Sequence, residues 1–134
     1  MRVFLDTTAL IDMLDGEKGA LDKIEELRRE SVLFTSSINL YETLRGIMDL
    51  HSGHEKHLKA LEAVTANIAV LDIDAEVARK AAGIYKELRG RGKPINEPDY
   101  LIAGACTANG IEIIMTRNRR HFENIRGIKT IIGY

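Results

Sequence analysis

The chain has 134 residues, 45% hydrophobic and 29% charged, a composition suited to one soluble domain that buries roughly two-thirds of its unfolded surface. A single cysteine, Cys106, excludes an intrachain disulfide and a cysteine-built zinc cluster, and no apolar run reaches the roughly 18 residues of a membrane span. The net charge of −1 argues against a tight nonspecific nucleic-acid binder. It is unevenly spread: from Lys86 onward nine Lys/Arg face five Asp/Glu, giving +4, while the first 85 residues carry −5.

The first apolar run, Val3 to Leu5, reads as a strand closed by Asp6. That carboxylate interrupts the run too early for a signal peptide, so a cytoplasmic location is expected. Further short runs rich in β-branched or aromatic residues follow at Val32 to Thr35, Ile68 to Ile73, Ile111 to Thr116 and Lys129 to Ile132. None alternates cleanly, which predicts strands covered on both faces of a parallel sheet. Between the strands the spacing is helical. Leu21, Ile24 and Leu27 form one stripe, Leu58, Leu61 and Val64 another, and Val77, Ala81, Tyr85 and Leu88 a third.

Breakers at Asp15-Gly16, Ser52-Gly53 and Gly90 through Pro98 divide the first three connections into two helices each. Asp74, with Glu76 close behind, predicts an N-cap for the third stripe. The last connection has room for one helix from Asn118 to Ile125. Such alternation predicts an α/β three-layer sandwich, with a central, mostly parallel five-stranded sheet flanked by helices. No repeat or linker interrupts it, so one domain over residues 1–134 is expected. Cys106 lies in an apolar helical stretch and reads as a small buried side chain.

In an open parallel sheet, ligands bind beyond the carboxyl ends of the strands, so the polar residues that follow strands are the informative ones. Asp6 follows the first strand, where it could also serve as an N-cap. Glu42 lies in the helix after the second strand, off the Leu40, Leu44 and Ile47 stripe, where it could simply pair with Arg45. Asp99 falls near the third position of a helix capped by Asn96 with Pro98 in its first turn, a favourable place for any carboxylate. Taken singly, each acid has an ordinary structural explanation.

The segments FLDTTALID, SSINLYETLRG, PINEPDYLIAGACTANGIEIIMTRN and HFENIRGIKTII resemble, in order and spacing, the PIN-domain family and its VapC-type toxin ribonucleases, from Val3 to Ile132. The resemblance implies that Asp6, Glu42 and Asp99 converge to hold Mg²⁺ or Mn²⁺ and act as the catalytic acids. It implies hydrolysis of RNA to 5′-phosphate and 3′-hydroxyl ends, a homodimer and a small antitoxin partner. A fourth acid is often found near Asn118, where this chain carries an amide, and His121 stands where an aspartate commonly precedes the phenylalanine.

Physical chemistry supports the cation. Two carboxylates 4 Å apart repel by about 4 kcal/mol at an effective dielectric near 20, roughly three pKa units, so a bare triad takes up protons or splays apart. Oxygen ligands without histidine or cysteine suit Mg²⁺. Thr7, Ser37, Thr116 and Asn118 are candidates to hydrogen-bond water or phosphate. Arg117 and Arg119, in the run Thr116 to His121, are candidates to meet RNA phosphates or stack on unpaired bases. The histidines His51, His54 and His57 fan around a helix axis and do not suggest zinc. Tyr41, Tyr85 and Tyr100 read as packing residues.

Two alternatives are weaker. A haloacid-dehalogenase-type phosphatase requires a second aspartate where Thr8 stands, and a receiver requires an acidic pair near Asp6 that is missing. A PIN-like module that binds RNA or protein without cutting is the non-enzymatic alternative, favoured by Asn118 and His121.

Overall fold

The computed structural model of the protein describes residues 1–134. Its five strands are β1 (Arg2–Leu5), β2 (Val32–Ser36), β3 (Ala69–Leu71), β4 (Ile113–Met115) and β5 (Thr130–Ile132). They form one sheet in the order β3-β2-β1-β4-β5, and every neighbouring pair is parallel. The helices are α1 (Thr7–Leu14), α2 (Lys18–Arg28), α3 (Ser37–Met48), α4 (His54–Thr65), α5 (Ala75–Gly90), α6 (Glu97–Ala108) and α7 (Arg119–Phe122). The three paired-helix connections divide at the expected breakers. Gly16, Gly53 and Gly92 there adopt positive φ, which is cheap only for glycine.

The two-residue period of β1 explains the layers. Val3 and Leu5 point to one side, where they join Leu33 and Met115 of the sheet with Ala9, Leu10, Ile24 and Leu27 of α1 and α2. Phe4 points to the other side, with Phe34, Ile114, Leu88, Tyr100, Ile102, Cys106 and Phe122. Both faces of the central strands β1, β2 and β4 are therefore apolar, which is why they show no alternation; the edge strands β3 and β5 depart from expectation, with no buried residue, because helices cover them less completely. The Cys106 side chain is fully buried, and burial pushes its thiol well above the ordinary range.

Local details depart from expectation where tertiary packing overrides pattern. In α2, Ala20 is buried beside Ile24 and Leu27, while Leu21 is 42% exposed. In α3 the inward residues are Asn39, Thr43 and Ile47, because a buried polar network draws the helix in on Asn39 and leaves Leu40 and Leu44 only partly covered. Tyr100 is buried and stacks edge-on against Tyr85 at 5.2 Å, but Tyr41 is exposed, with the Arg45 guanidinium over its ring. Asp74 caps α5 as expected, accepting from the Val77 amide at 2.9 Å. The final helix is a single turn, Arg119–Phe122. No helix is long and apolar enough to cross a membrane.

Candidate active site

The central strand β1 ends at Leu5, and the Asp6 amide prolongs the ladder by donating to the Met115 carbonyl at 3.1 Å. Asp6 thus stands at the carboxyl end of the middle of the sheet. It occupies the N-cap position of α1, yet its side chain makes no capping hydrogen bond. One carboxylate oxygen accepts from the Asn39 side-chain amide at 3.2 Å, the other from the Thr116 hydroxyl at 2.8 Å. Its rotamer is thus set by partners from α3 and the end of β4 rather than by its own helix.

The clamp grows out of the ends of β2 and β4. Ser36 closes β2, and its hydroxyl accepts from the Asn39 amide and donates to Asn39 Oδ1 at 2.6 Å. This sets the Asn39 side chain so that its Nδ2 donates to both Asp6 and the Thr7 hydroxyl, the latter at 3.0 Å. Thr7 in turn donates to Glu42 Oε1 at 2.6 Å. Asn39 and Glu42 are three residues apart and share one face of α3. Glu42 therefore points back to α1, while Arg45 covers the Tyr41 ring. On the other side the buried Thr116 hydroxyl also accepts from the Asn118 amide at 2.9 Å.

Asp99 arrives from α6 at the third helical position, behind Asn96 and Pro98. The approach of α6 to α5 depends on Gly104: a Cβ there would lie 2.7 Å from the Val77 carbonyl oxygen and 2.9 Å from the Ala81 nitrogen. The Asp99 carboxylate is nearly buried, with His121 Nδ1 2.8 Å from its Oδ2. At that distance the imidazole, when protonated, forms an ion pair with the Asp99 carboxylate.

Asp6, Glu42 and Asp99 line one cavity of about 200 Å³ together with Thr7, Thr8, Asn96, Pro98, Asn118 and His121, and none of its walls is hydrophobic. Burial raises the Asp6 carboxyl, the Thr116 hydroxyl pulling the other way. Burial likewise pushes Asp99 up to about 6; His121 opposes the shift, and the charges of Asp6 and Glu42 add to it. These are carboxylates held in mutual conflict.

Apart from the His121 ring, the side-chain donors that line the cavity are oxygens of carboxylate, hydroxyl and amide groups, so the residues fit a hard divalent cation. No three acidic, histidine or cysteine side chains converge tightly enough to ligate one ion directly. Mg²⁺ needs only one or two carboxylates, its other positions filled by water and substrate.

Of the other residues singled out in the sequence, Thr7 and Asn118 line the cavity. Thr116 lies beneath it, its hydroxyl committed to Asp6. Ser37 opens α3 but lines no part of the cavity; its neighbour Ser36 makes the contacts. Arg117 and Arg119 line an adjoining cavity. Asn39 was missed. Its signal was available, since a polar residue three positions after Ser36 and three before Glu42 lies on their shared helical face.

Residues 3–128 match the model of the PIN domain. The chain belongs to the PIN domain family. This PIN-domain chain is 30% identical over 130 residues to the tRNA(fMet)-specific endonuclease VapC of Shigella flexneri, covering 97% of this chain and 96% of that one. It is 29% identical to Ribonuclease VapC1 of Methanocaldococcus jannaschii, covering 93% of this chain and 82% of the relative. Among solved structures, DNA-bound VapBC from Salmonella typhimurium matches with a TM-score of 0.85 at 28% identity, over 99% of this chain and 98% of that one. VapBC2 from Rickettsia felis bound to a promoter DNA fragment has the same fold, with a TM-score of 0.89 at 21% identity, over 100% of this chain and 99% of that one.

Proposed function

We propose that the chain is a divalent-metal-dependent endoribonuclease, the toxin of a VapC-type toxin–antitoxin pair, with residues 1–134 acting as one nuclease domain. The observation that carries this reading is the arrival of Asp6, Glu42 and Asp99, from three separate elements, in a single cavity lined only by polar residues and Pro98. Relatives named as ribonucleases or as a tRNA(fMet)-specific endonuclease support it, as do VapBC complexes of the same fold for an antitoxin partner. A cytoplasmic homodimer belongs to the same proposal.

Asp6 and Asp99 would hold Mg²⁺ or Mn²⁺, with Asn39 and Thr116 fixing the Asp6 rotamer as supporting partners of a metal ligand do. Bound there, the cation supplies a more acidic water and offsets negative charge on the phosphate. Glu42, held by Thr7, orients the attacking water and accepts its proton. The Asn118 side-chain amide, at the cavity wall, donates to a phosphate oxygen. Hydrolysis leaves a 5′-phosphate and a 3′-hydroxyl.

The test is cleavage of structured RNA, initiator tRNA included, by the purified protein with Mg²⁺, Mn²⁺ or EDTA. Cleavage that EDTA abolishes and Asp6→Asn lacks supports the assignment; equal cleavage by Asp6→Asn defeats it. One observation favours a module that binds without cutting: His121 already sits against Asp99, where an imidazolium could stand in for a cation. RNA binding without cleavage under all metal conditions would select that reading.

A further inference from the structure

A second cavity, of about 410 Å³, adjoins the acidic one. It is lined by Arg117, Asn118, Arg119, Arg120, His121 and Glu123, none of them a hydrophobic residue. Asn118 and His121 line both cavities, so the two are contiguous. The three arginines are not equivalent. Arg117 Nε lies 2.7 Å from Asp12 Oδ2, an oxygen that also accepts from the Tyr134 hydroxyl at 2.6 Å. Asp12 is itself buried, so this pair and the tyrosine latch the end of β4 onto α1 and the C-terminus. Arg119 donates to the Ile131 carbonyl at 3.0 Å. Arg120 is exposed and makes no hydrogen bond or ion pair.

We propose that this second cavity is a subsite for the backbone phosphate of a single RNA strand, with Arg120 as the guanidinium that takes the phosphate next to the one in the acidic cavity. The inference rests on the ribonuclease reading and assigns distinct tasks to residues that looked alike in sequence. A polyanion entering a cavity walled by three carboxylates is repelled there, so its hold must come from the adjoining ground. Three arginines against one glutamate provide a positive wall, and Arg120 is the one whose donors are all uncommitted, free to turn toward a planar, bidentate anion contact. Phosphate contacts position a strand without reading its sequence. The lining residues are all charged or polar, with three arginines among six, which favours a phosphate backbone over a protein partner, whose buried interface core is depleted of charge.

Binding is measured in EDTA, where no cleavage complicates it, by the anisotropy of a labelled single-stranded RNA oligonucleotide across a salt series. Arg120→Ala is expected to weaken binding about fivefold to tenfold, the loss of one charge-assisted contact. It should also lower the slope of log affinity against log salt by about 0.7, the increment for one phosphate of a single strand. Arg120→Lys should restore the slope, and Lys18→Ala, outside both cavities, should leave affinity within about twofold on the same counterion argument. Arg120 is exposed, so melting curves of its variants should overlay the wild type. Unchanged affinity and slope in Arg120→Ala overturn the subsite, as does competition by a polyglutamate peptide equal to that of RNA. If wild-type protein binds RNA as described yet never cleaves it with Mg²⁺ or Mn²⁺, the ribonuclease reading fails and the subsite stands. If cleavage is intact and Arg120→Ala binds normally, the subsite alone fails.

Discussion

Asp99→Asn offers a direct physical test, because this substitution separates a carboxylate held for a cation from one that serves its helix. In the folded chain the Asp99 carboxyl is pushed from 3.8 up to about 6, chiefly by burial. A raised carboxyl pKa means that the proton favours the folded state. The corresponding stability is fully present below about pH 4 and is lost as pH rises through 6. Two units correspond to about 3 kcal/mol, and solvent in the open cavity screens this to about 1–2 kcal/mol. Asparagine cannot ionise. The difference in stability between variant and wild type should therefore be near zero at pH 4 and grow to about 1–2 kcal/mol in favour of the variant at pH 7, roughly 3–7 °C in Tm for a chain this size. The assay is thermal melting in metal-free buffer from pH 4 to 7, repeated with Mg²⁺, which should stabilise the wild type and leave the variant unmoved. If Asp99→Asn is less stable at pH 7 without metal, Asp99 is working as a helix-terminus charge and the reasoning is wrong.

Other expectations follow from the same network. Asp6→Asn should fold normally and lose cleavage by at least about 100-fold in a single-turnover assay, since an amide is a poor ligand for a hard cation. Asn39→Ala removes the donor that orients Asp6 and should cost roughly 10- to 100-fold in metal affinity or activity; Mg²⁺ titration of cleavage by Asn39→Ala and Asn39→Asp would locate the loss in metal binding. Gly104→Ala places a methyl against α5 backbone and should destabilise the fold by about 1–3 kcal/mol in urea melts, with activity lost only in proportion to unfolding. Tyr134→Phe removes one partner of buried Asp12 and should cost about 1–2 kcal/mol; an unchanged urea midpoint would show that the C-terminal latch contributes nothing.

The sequence alone determined the architecture. Apolar runs without alternation point to strands covered on both faces, as β1, β2 and β4 are though the edge strands are not, and glycine-bearing breakers divide the helices because positive φ is costly for other residues. These are local properties, readable from residue type and period. It also placed Asp6 and Asp99 at element ends, where parallel sheets present their ligands. The tertiary structure decided which polar atoms meet. Whether Asp6 caps a helix or accepts from Asn39 and Thr116, 33 and 110 residues away, depends on strands pairing out of sequence order. Likewise, three arginines within four residues became a latch, a brace and one free cation only when Asp12, Ile131 and Tyr134 were brought beside them. Such partners are set by chain topology, and no local pattern encodes them.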